Sequence, residues 1–174
     1  MLTIRAERTD DHDAITAVVA AAFGSPAEAR LVERIRASTR YRAPLALVAE
    51  LDGEVVGHVM VSDADLHTAS GVRHLAMLSP LAVAPDRHNA GIGGELVRTV
   101  CRLADETGEA LVVLEGSPQY YGRFGFEPSA RYGIELPIPD WAPREASQAL
   151  WLGEVDPTLT GRVVYSSAFD EVSG

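Results

Sequence analysis

Residues 78–126 decide the fold of this chain and read LSPLAVAPDRHNAGIGGELVRTVCRLADETGEALVVLEGSPQYYGRFGF. An apolar segment interrupted by Pro80 leads into a turn that contains three glycines. An amphipathic segment follows, then a short apolar run, then two adjacent tyrosines ahead of Gly-Phe. This order predicts a strand, a turn, a helix, a second strand and a second turn.

The amphipathic segment is predicted to be a helix, because its apolar and charged residues separate at helical spacing. The apolar face consists of Ile92, Leu96, Val100, Leu103 and Ala104, with Val97 at its edge. The charged face consists of Glu95, Arg98, Arg102, Asp105 and Glu106. Gly108 is the expected C-terminal stop. Cys101 lies at the rim of the apolar face, so we interpret it as a packing residue rather than a nucleophile.

The turn before this helix is suited to a phosphate group. The first N–H groups of a helix have no partner inside it, and the helix dipole adds positive potential there. Gly91, Gly93 and Gly94 let the backbone approach a ligand closely. The alternative is a turn that only packs helix on strand. A P-loop is excluded because the sequence Gly-Lys-Ser/Thr is missing. A Rossmann turn is excluded because no third glycine follows Gly91 and Gly93 at the required spacing.

These motifs together resemble the GNAT superfamily of N-acetyltransferases, in particular a bacterial branch with Tyr-Tyr before Phe-Gly-Phe. The resemblance is strong over about a third of the chain and looser elsewhere. It implies one domain over residues 1–174 with an α/β (α+β) fold. In that fold a mixed, mostly antiparallel sheet is flanked by helices, and strands four and five splay around the cofactor. It also implies transfer of an acetyl group from acetyl-CoA to a primary amine by direct attack.

The resemblance assigns cofactor contacts to the glycine turn. In GNAT proteins a Gln or Arg, two variable residues and Gly-x-Gly hold the coenzyme A pyrophosphate. The matching positions here are His88, Asn89, Ala90, Gly91, Ile92 and Gly93, followed by Gly94. His88 replaces the usual Gln or Arg and Asn89 stands where many members have Gly. His88 is therefore either a hydrogen-bond donor to the cofactor or a solvated turn residue.

Pro80 interrupts the strand predicted over residues 75–83. Proline cannot donate to a strand ladder, so it indicates either an edge strand or a bulge. The resemblance implies a bulged fourth strand whose backbone pairs with the pantetheine arm of the cofactor. The matching positions are Leu81, Ala82 and Val83.

The candidate catalytic residues follow the helix. Tyr121 matches a tyrosine that GNAT enzymes place near the cofactor sulfur, where a phenol can protonate the departing thiolate. We interpret Tyr120 as a packing residue. Glu115 is the candidate base, if an apolar setting raises its pKa, and a surface glutamate is the alternative. His58 is a second candidate base, and the alternative is a packed or exposed strand histidine. A base that acts through an ordered water molecule would leave no trace in the sequence. We assign no metal site.

Composition limits the classes of function. The 174 residues carry a net charge of −10, and all 15 basic residues are arginine, so a nucleic-acid partner is disfavoured. The acidic surface favours either a cationic amine or solubility. No apolar run is long enough to span a membrane and the N-terminus has no signal core. A single cysteine excludes an internal disulfide, and we expect a cytoplasmic protein.

The rest of the chain fits the same fold. We predict strands over residues 2–6, 45–51 and 55–61, helices after a cap at Thr9-Asp10-Asp11 and over 26–37, and a hairpin at Asp52-Gly53. Further strands are expected over 110–114, 132–136, 149–152 and 162–166, with an irregular segment over 137–143. Trp141 and Trp151 either line a substrate pocket or cap the core.

Two other functions stay open from the sequence. The changed His88-Asn89 pair and the lack of a clear base are compatible with a catalytically silent acyl-CoA-binding sensor. A nucleotide-binding α/β protein unrelated to acyl transfer is the third reading. The acceptor is expected to be a small-molecule or peptide amine, and the sequence is compatible with a homodimer.

Overall fold

A computed structural model describes residues 1–172, in which nine strands and four α-helices form a mixed, mostly antiparallel β-structure flanked by helices. The strands are β1 (Leu2–Ala6), β2 (Ala46–Leu51), β3 (Glu54–Thr68), β4 (Gly71–Val83), β5 (Leu111–Glu115), β6 (Glu127–Pro128), β7 (Ile134–Glu135), β8 (Ser147–Trp151) and β9 (Gly161–Val164). The helices are α1 (His12–Phe23), α2 (Ala27–Arg36), α3 (Ile92–Glu106) and α4 (Pro118–Tyr121). No helix within the described residues is long and apolar enough to cross a membrane.

The chain divides into two compact units. Residues 1–62 and 78–103 form the first unit, and residues 63–77 together with those from 104 onward form the second. The long strands β3 and β4 therefore contribute residues to both units.

The first unit contains the strand order β1-β2-β3-β4. β1 pairs with β2 and β2 with β3, both antiparallel, with a register shift between Ala49 and Glu50. The predicted hairpin at Asp52-Gly53 is confirmed, because both residues have positive φ (51° and 88°), as a two-residue type I′ turn requires. β3 is longer than the predicted 55–61 and extends to Thr68; its side chains are continuously buried over residues 56–62 and alternate in burial over 62–67.

Helices α1 and α2 follow the predicted periodicity but not the predicted cap. Asp11 precedes α1, yet its carboxylate accepts no hydrogen bond from an N–H of that helix. It accepts instead from the Arg8 backbone N–H at 2.7 Å and from both terminal nitrogens of Arg5 at 2.7 and 2.9 Å. The acidic residue therefore ties the chain between β1 and α1 to the strand.

The strand that contains Pro80 is not an edge strand. β4 lies between β3 and β5 in the strand order, so that alternative is wrong. The Ser79–Pro80 peptide is cis. Beyond β4, helix α3 confirms the predicted apolar face: its members are buried except for half-buried Leu103, and Val97 is fully buried with them. Gly108 closes the helix at φ 91°, as expected.

The second unit is built around β5. It pairs in parallel with β4 at Ala76↔Val112 and Met77↔Val113, and antiparallel with β8 along its whole length. β8 also pairs with β6, β9 pairs with β3, and β7 pairs in parallel with β9. The strand predicted over 132–136 shortens to β7 because residues 129–132 form a 3-10 helix that ends at Gly133. Residues 137–143 are irregular, as predicted.

Candidate active site

The first part of the candidate site is the turn from β4 to α3, in the first unit. Leu81, Ala82 and Val83 end β4, with Ala82 buried and the other two half-buried. The next residue, Ala84, donates its backbone N–H to the Val56 carbonyl of β3 at 2.8 Å. A 3-10 helix over Pro85–Arg87 then reverses the chain toward α3. The end of β4 and the start of the turn are thus fixed by backbone bonds.

His88 folds back onto the strand that precedes it. Its Nε2 lies 3.0 Å from the Val83 carbonyl oxygen, so the ring donates to that oxygen when Nε2 carries the proton. Its side chain is thereby engaged with the backbone of β4, although the residue is exposed. This contact favours a role for His88 in shaping the turn.

The backbone of the turn presents donors outward. Asn89 and Gly91 both have left-handed conformations, with φ of 66° and 79°. The first bond of α3 runs from the Glu95 N–H to the Gly91 carbonyl at 3.1 Å. The N–H groups of Ile92, Gly93 and Gly94 precede that bond, so they have no acceptor inside the helix.

The turn also has open space beside its free N–H groups. A Cβ placed on Gly91 would meet no heavy atom within 4 Å, so the backbone is open to a ligand. A helix N-terminus of this kind attracts anions through its free N–H groups and its dipole. The segment from Ala90 to Gly94 therefore fits a phosphate or pyrophosphate.

The second part of the site follows β5, in the second unit. Ser117 caps α4 by accepting a hydrogen bond from the Tyr120 N–H, and Pro118 occupies the first helical position. This one-turn helix is not apparent from the sequence, because four residues are too few for a periodic pattern. Gly125, at φ 94°, ends the following 3-10 turn before buried Phe126.

The paired tyrosines have different surroundings. The Arg123 guanidinium lies 4.6 Å from the centre of the Tyr120 ring, and the two tyrosine rings meet edge to face at 4.9 Å. The Tyr121 ring also contacts Phe126, with centres 5.8 Å apart. A Cβ on Gly116 would come within 2.5 Å of that ring, so glycine is what lets Tyr121 lie against the end of β5.

Glu115 ends β5 and has a partner that the sequence analysis did not identify. The Tyr165 hydroxyl donates a hydrogen bond to its carboxylate. Loss of solvent around the carboxylate raises the pKa of Glu115, and the bond from Tyr165 opposes that shift in part. Burial, followed by the nearby carboxylate, raises the pKa of Tyr165 above its ordinary value. Glu115 itself is exposed at the end of the strand, as the surface-glutamate alternative expects, so its role as a base stays a prediction.

His58, the second candidate base, belongs to the core of the first unit. Its side chain is fully buried, and its Nε2 lies 3.6 Å from a carboxylate oxygen of Glu7. Arg36 and Tyr41 bind the same carboxylate at 2.6 and 3.0 Å. Burial lowers the pKa of His58, against the opposing effect of Glu7. Of the two sequence readings, the packed strand histidine is the one that this position supports.

Three further side chains are placed by the structure. Cys101 is buried and burial raises the pKa of its thiol to about 12, so it stays protonated at neutral pH. Trp141 is 83% exposed and does not cap the core. Trp151 is half-buried and its ring packs against Tyr132 with centres 5.7 Å apart. Within residues 1–172 no group of His, Cys, Asp or Glu is arranged to hold a metal ion.

The candidate residues thus fall into two sets. The strand end and turn, from Leu81 to Gly94, lie in the first unit, and Glu115 and Tyr121 lie in the second. The missed partner of Glu115, Tyr165, is 50 residues away in sequence, and no local pattern links the two.

Comparisons with known protein families, proteins and structures all point to one family. The family model described as an acetyltransferase (GNAT) domain matches residues 3–129. YjhQ of Escherichia coli (strain K12), named as an uncharacterized N-acetyltransferase, is 35% identical over 164 residues, which cover 89% of this chain and 88% of that protein.

Two solved structures share the fold at comparable identity. YhbS from Escherichia coli, a GNAT family N-acetyltransferase in complex with CoA, superposes with a TM-score of 0.86 at 32% identity, covering 97% of this chain and 92% of that one. A GNAT family acetyltransferase from Brucella melitensis in complex with acetyl-CoA gives 0.79 at 31% identity, covering 98% and 99%.

Proposed function

Because the chain belongs to the GNAT family of acetyltransferases, we propose that it transfers an acetyl group from acetyl-CoA to a primary amine by direct attack. The observation that carries the proposal is the open turn at the start of α3, where three backbone N–H groups lack an acceptor inside the helix. The relatives in complex with CoA and acetyl-CoA support the same cofactor here.

In this proposal the turn holds the pyrophosphate and the end of β4 holds the pantetheine arm. The N–H groups of Ile92, Gly93 and Gly94 bind the phosphates, and Gly91 gives them room. Asn89 and Ala90 shape the approach, while His88 acts mainly through its bond to Val83. The backbone of Leu81, Ala82 and Val83 pairs with the amides of the arm.

The proposed chemistry needs two proton transfers. Acetyl-CoA supplies an activated thioester. An N–C bond forms as the C–S bond breaks, one proton leaves the nitrogen, and one proton goes to the sulfur. Glu115 is proposed to accept the first proton, since its raised pKa makes it a stronger base. Tyr121 is proposed to donate the second, and its fixed ring position supports a defined role.

The test measures release of free thiol from acetyl-CoA with panels of small amines and peptides. Tyr121→Phe removes one hydroxyl and keeps the ring, so acetyl-CoA affinity should be unchanged while turnover falls by roughly 10²-fold. Tyr120→Phe is the matched control and should turn over at the wild-type rate. Equal rates for wild type and Tyr121→Phe would remove Tyr121 from the mechanism.

A silent sensor would behave differently. It would show an acetyl-CoA-dependent rise in melting temperature without thiol release across all panels. We further propose a single acetyltransferase domain, because the family match over residues 3–129 includes parts of both units. We place the protein in the cytoplasm, and light scattering will show whether it forms the homodimer that the sequence allows.

A further inference from the structure

The second unit contains a cavity of about 500 Å³ that lies within the segment from Ser129 to Ser147. This volume suits a small molecule. Ile134 and Leu136 supply buried apolar walls, and Ile138 adds a half-buried one. The cavity therefore combines aliphatic walls with about as much polar surface.

Two buried serines define one polar point. The Ser129 hydroxyl donates to the Ile134 carbonyl at 2.7 Å, and it lies 2.6 Å from the Ser147 hydroxyl. A hydroxyl has one hydrogen, so the bond between the serines must use the hydrogen of Ser147. The Ser147 hydroxyl oxygen can therefore still accept a hydrogen bond but cannot donate another. A ligand group that binds there must be a donor, such as an amine.

Three exposed charged residues are also among those that line the cavity. Glu135, Asp140 and Arg144 line it, and none of the three makes an ion pair or side-chain hydrogen bond within the described residues. Arg144 is only one tight turn from Ser147, whose N–H donates to the Arg144 carbonyl. A guanidinium only donates, and its planar fork matches a carboxylate. The wall thus offers acceptors for a cation and one donor group for an anion.

Ser147 places this cavity beside the candidate base. Ser147 and Glu115 are directly opposite in the β5/β8 ladder. The Gly116 N–H donates to the Ala146 carbonyl, which makes this a non-hydrogen-bonded pair, the kind in which side chains lie closest and on one face. Ser147 lines the cavity and Glu115 does not, so the cross-strand pair is what relates an amine on the Ser147 hydroxyl to the Glu115 carboxylate and its Tyr165 partner.

We propose that this cavity is the acceptor site and that it takes a free α-amino acid with an aliphatic side chain. The amine binds Ser147 beside Glu115, the carboxylate binds Arg144, and the side chain lies against Ile134 and Leu136. This inference rests on the proposed acetyl transfer and names its substrate class.

The test compares three ligands that differ in one group. L-leucine carries the carboxylate, L-leucinamide replaces it by a neutral amide, and 3-methylbutylamine lacks it. Binding is measured by calorimetry on the full chain with CoA present, so that no turnover is needed. L-leucine should bind about tenfold to a hundredfold more tightly than L-leucinamide, the range for hydrogen bonds to a charged group.

Variants tie that preference to the named residues. Arg144→Gln should remove the preference for L-leucine over L-leucinamide. Arg162→Gln, an exposed arginine of β9 in the same unit, should keep it. Ser147→Ala should weaken the binding of all three ligands by the same factor, because it removes the hydrogen-bond acceptor for the amine that they share.

The outcomes separate this inference from the proposed function. Equal binding of the three ligands, no binding of any, or an unchanged preference in Arg144→Gln would overturn the site. Thiol release from all three amines at equal rates would overturn it too, while acetyl transfer would stand. Arg144-dependent binding of L-leucine, together with no thiol release from any amine of the wider panels, would support the site and remove the proposed acetyl transfer.

Discussion

Replacement of Glu7 by glutamine should destabilise the protein without changing the shape of the side chain. The Glu7 carboxylate is 1% exposed and accepts from the Arg36 guanidinium at 2.6 Å and the Tyr41 hydroxyl at 3.0 Å. Glutamine keeps one acceptor oxygen but no charge. Arg36, whose side chain is only 15% exposed, would then lack its counter-ion.

The magnitude follows from the ionisation of Glu7. Burial opposes ionisation, but His58 and Arg36 outweigh it and lower the pKa from 4.5 to about 2. Because burial lowers the pKa of His58 as well, we attribute the effect mainly to permanently charged Arg36. A shift of this size corresponds to about 3 kcal/mol. Breaking a buried ion pair costs about 3–5 kcal/mol, which agrees.

The effect has a defined pH dependence. The folded-state pKa is depressed, so the stabilisation is complete above the unfolded pKa and is lost as pH falls from about 5 toward 2. The gap between wild type and Glu7→Gln should be constant from pH 7 to 6 and smaller by about 1 kcal/mol at pH 4. Neutral buried His58 lowers the stability of wild type and Glu7→Gln alike at acid pH, because its unfolded form gains a proton below about pH 6.5, so it does not change the gap.

The assay is urea unfolding followed by tryptophan fluorescence, with the slope checked for constancy. Glu33→Gln on the exposed side of α2 is the control and should change stability by less than about 0.5 kcal/mol. A Glu7→Gln variant within about 0.5 kcal/mol of wild type at pH 7 would refute the reasoning. So would a gap that does not narrow toward pH 4.

Three further changes test the candidate site. Gly91→Val should abolish the rise in melting temperature that saturating acetyl-CoA gives wild type, with the fold retained in circular dichroism; a retained shift would place the phosphates elsewhere. His88→Ala should weaken CoA binding by about 1 kcal/mol or less in calorimetry, whereas a loss of about a hundredfold would make the imidazole a principal phosphate ligand. Gly116→Ala puts a methyl group within 2.5 Å of the Tyr121 ring, so thiol release should fall by up to about 10²-fold, while Gly153→Ala, with open space around it, should leave the rate unchanged.

Local patterns in the sequence determined much of the fold. The apolar face of α3, the hairpin at Asp52-Gly53 and the irregular segment over 137–143 all depend on residues within a few positions of each other. Their signals are the helical period, the φ > 0 requirement of a turn and the missing N–H of proline, none of which needs tertiary contacts. The glycine turn before α3 belongs to the same class, and so does the family resemblance, which depends on short motifs.

Only the tertiary structure decided which distant side chains meet. Glu7 and His58 are 51 positions apart, Glu115 and Tyr165 are 50 apart, and Ser129 and Ser147 are 18 apart. Strand register and chain packing bring these pairs together, and a register changed by one residue would turn the strand residues His58, Glu115 and Ser147 to the other face. The role of His58 and the partner of Glu115 were therefore unreadable from the sequence, since burial and charge pairing depend on the packed chain.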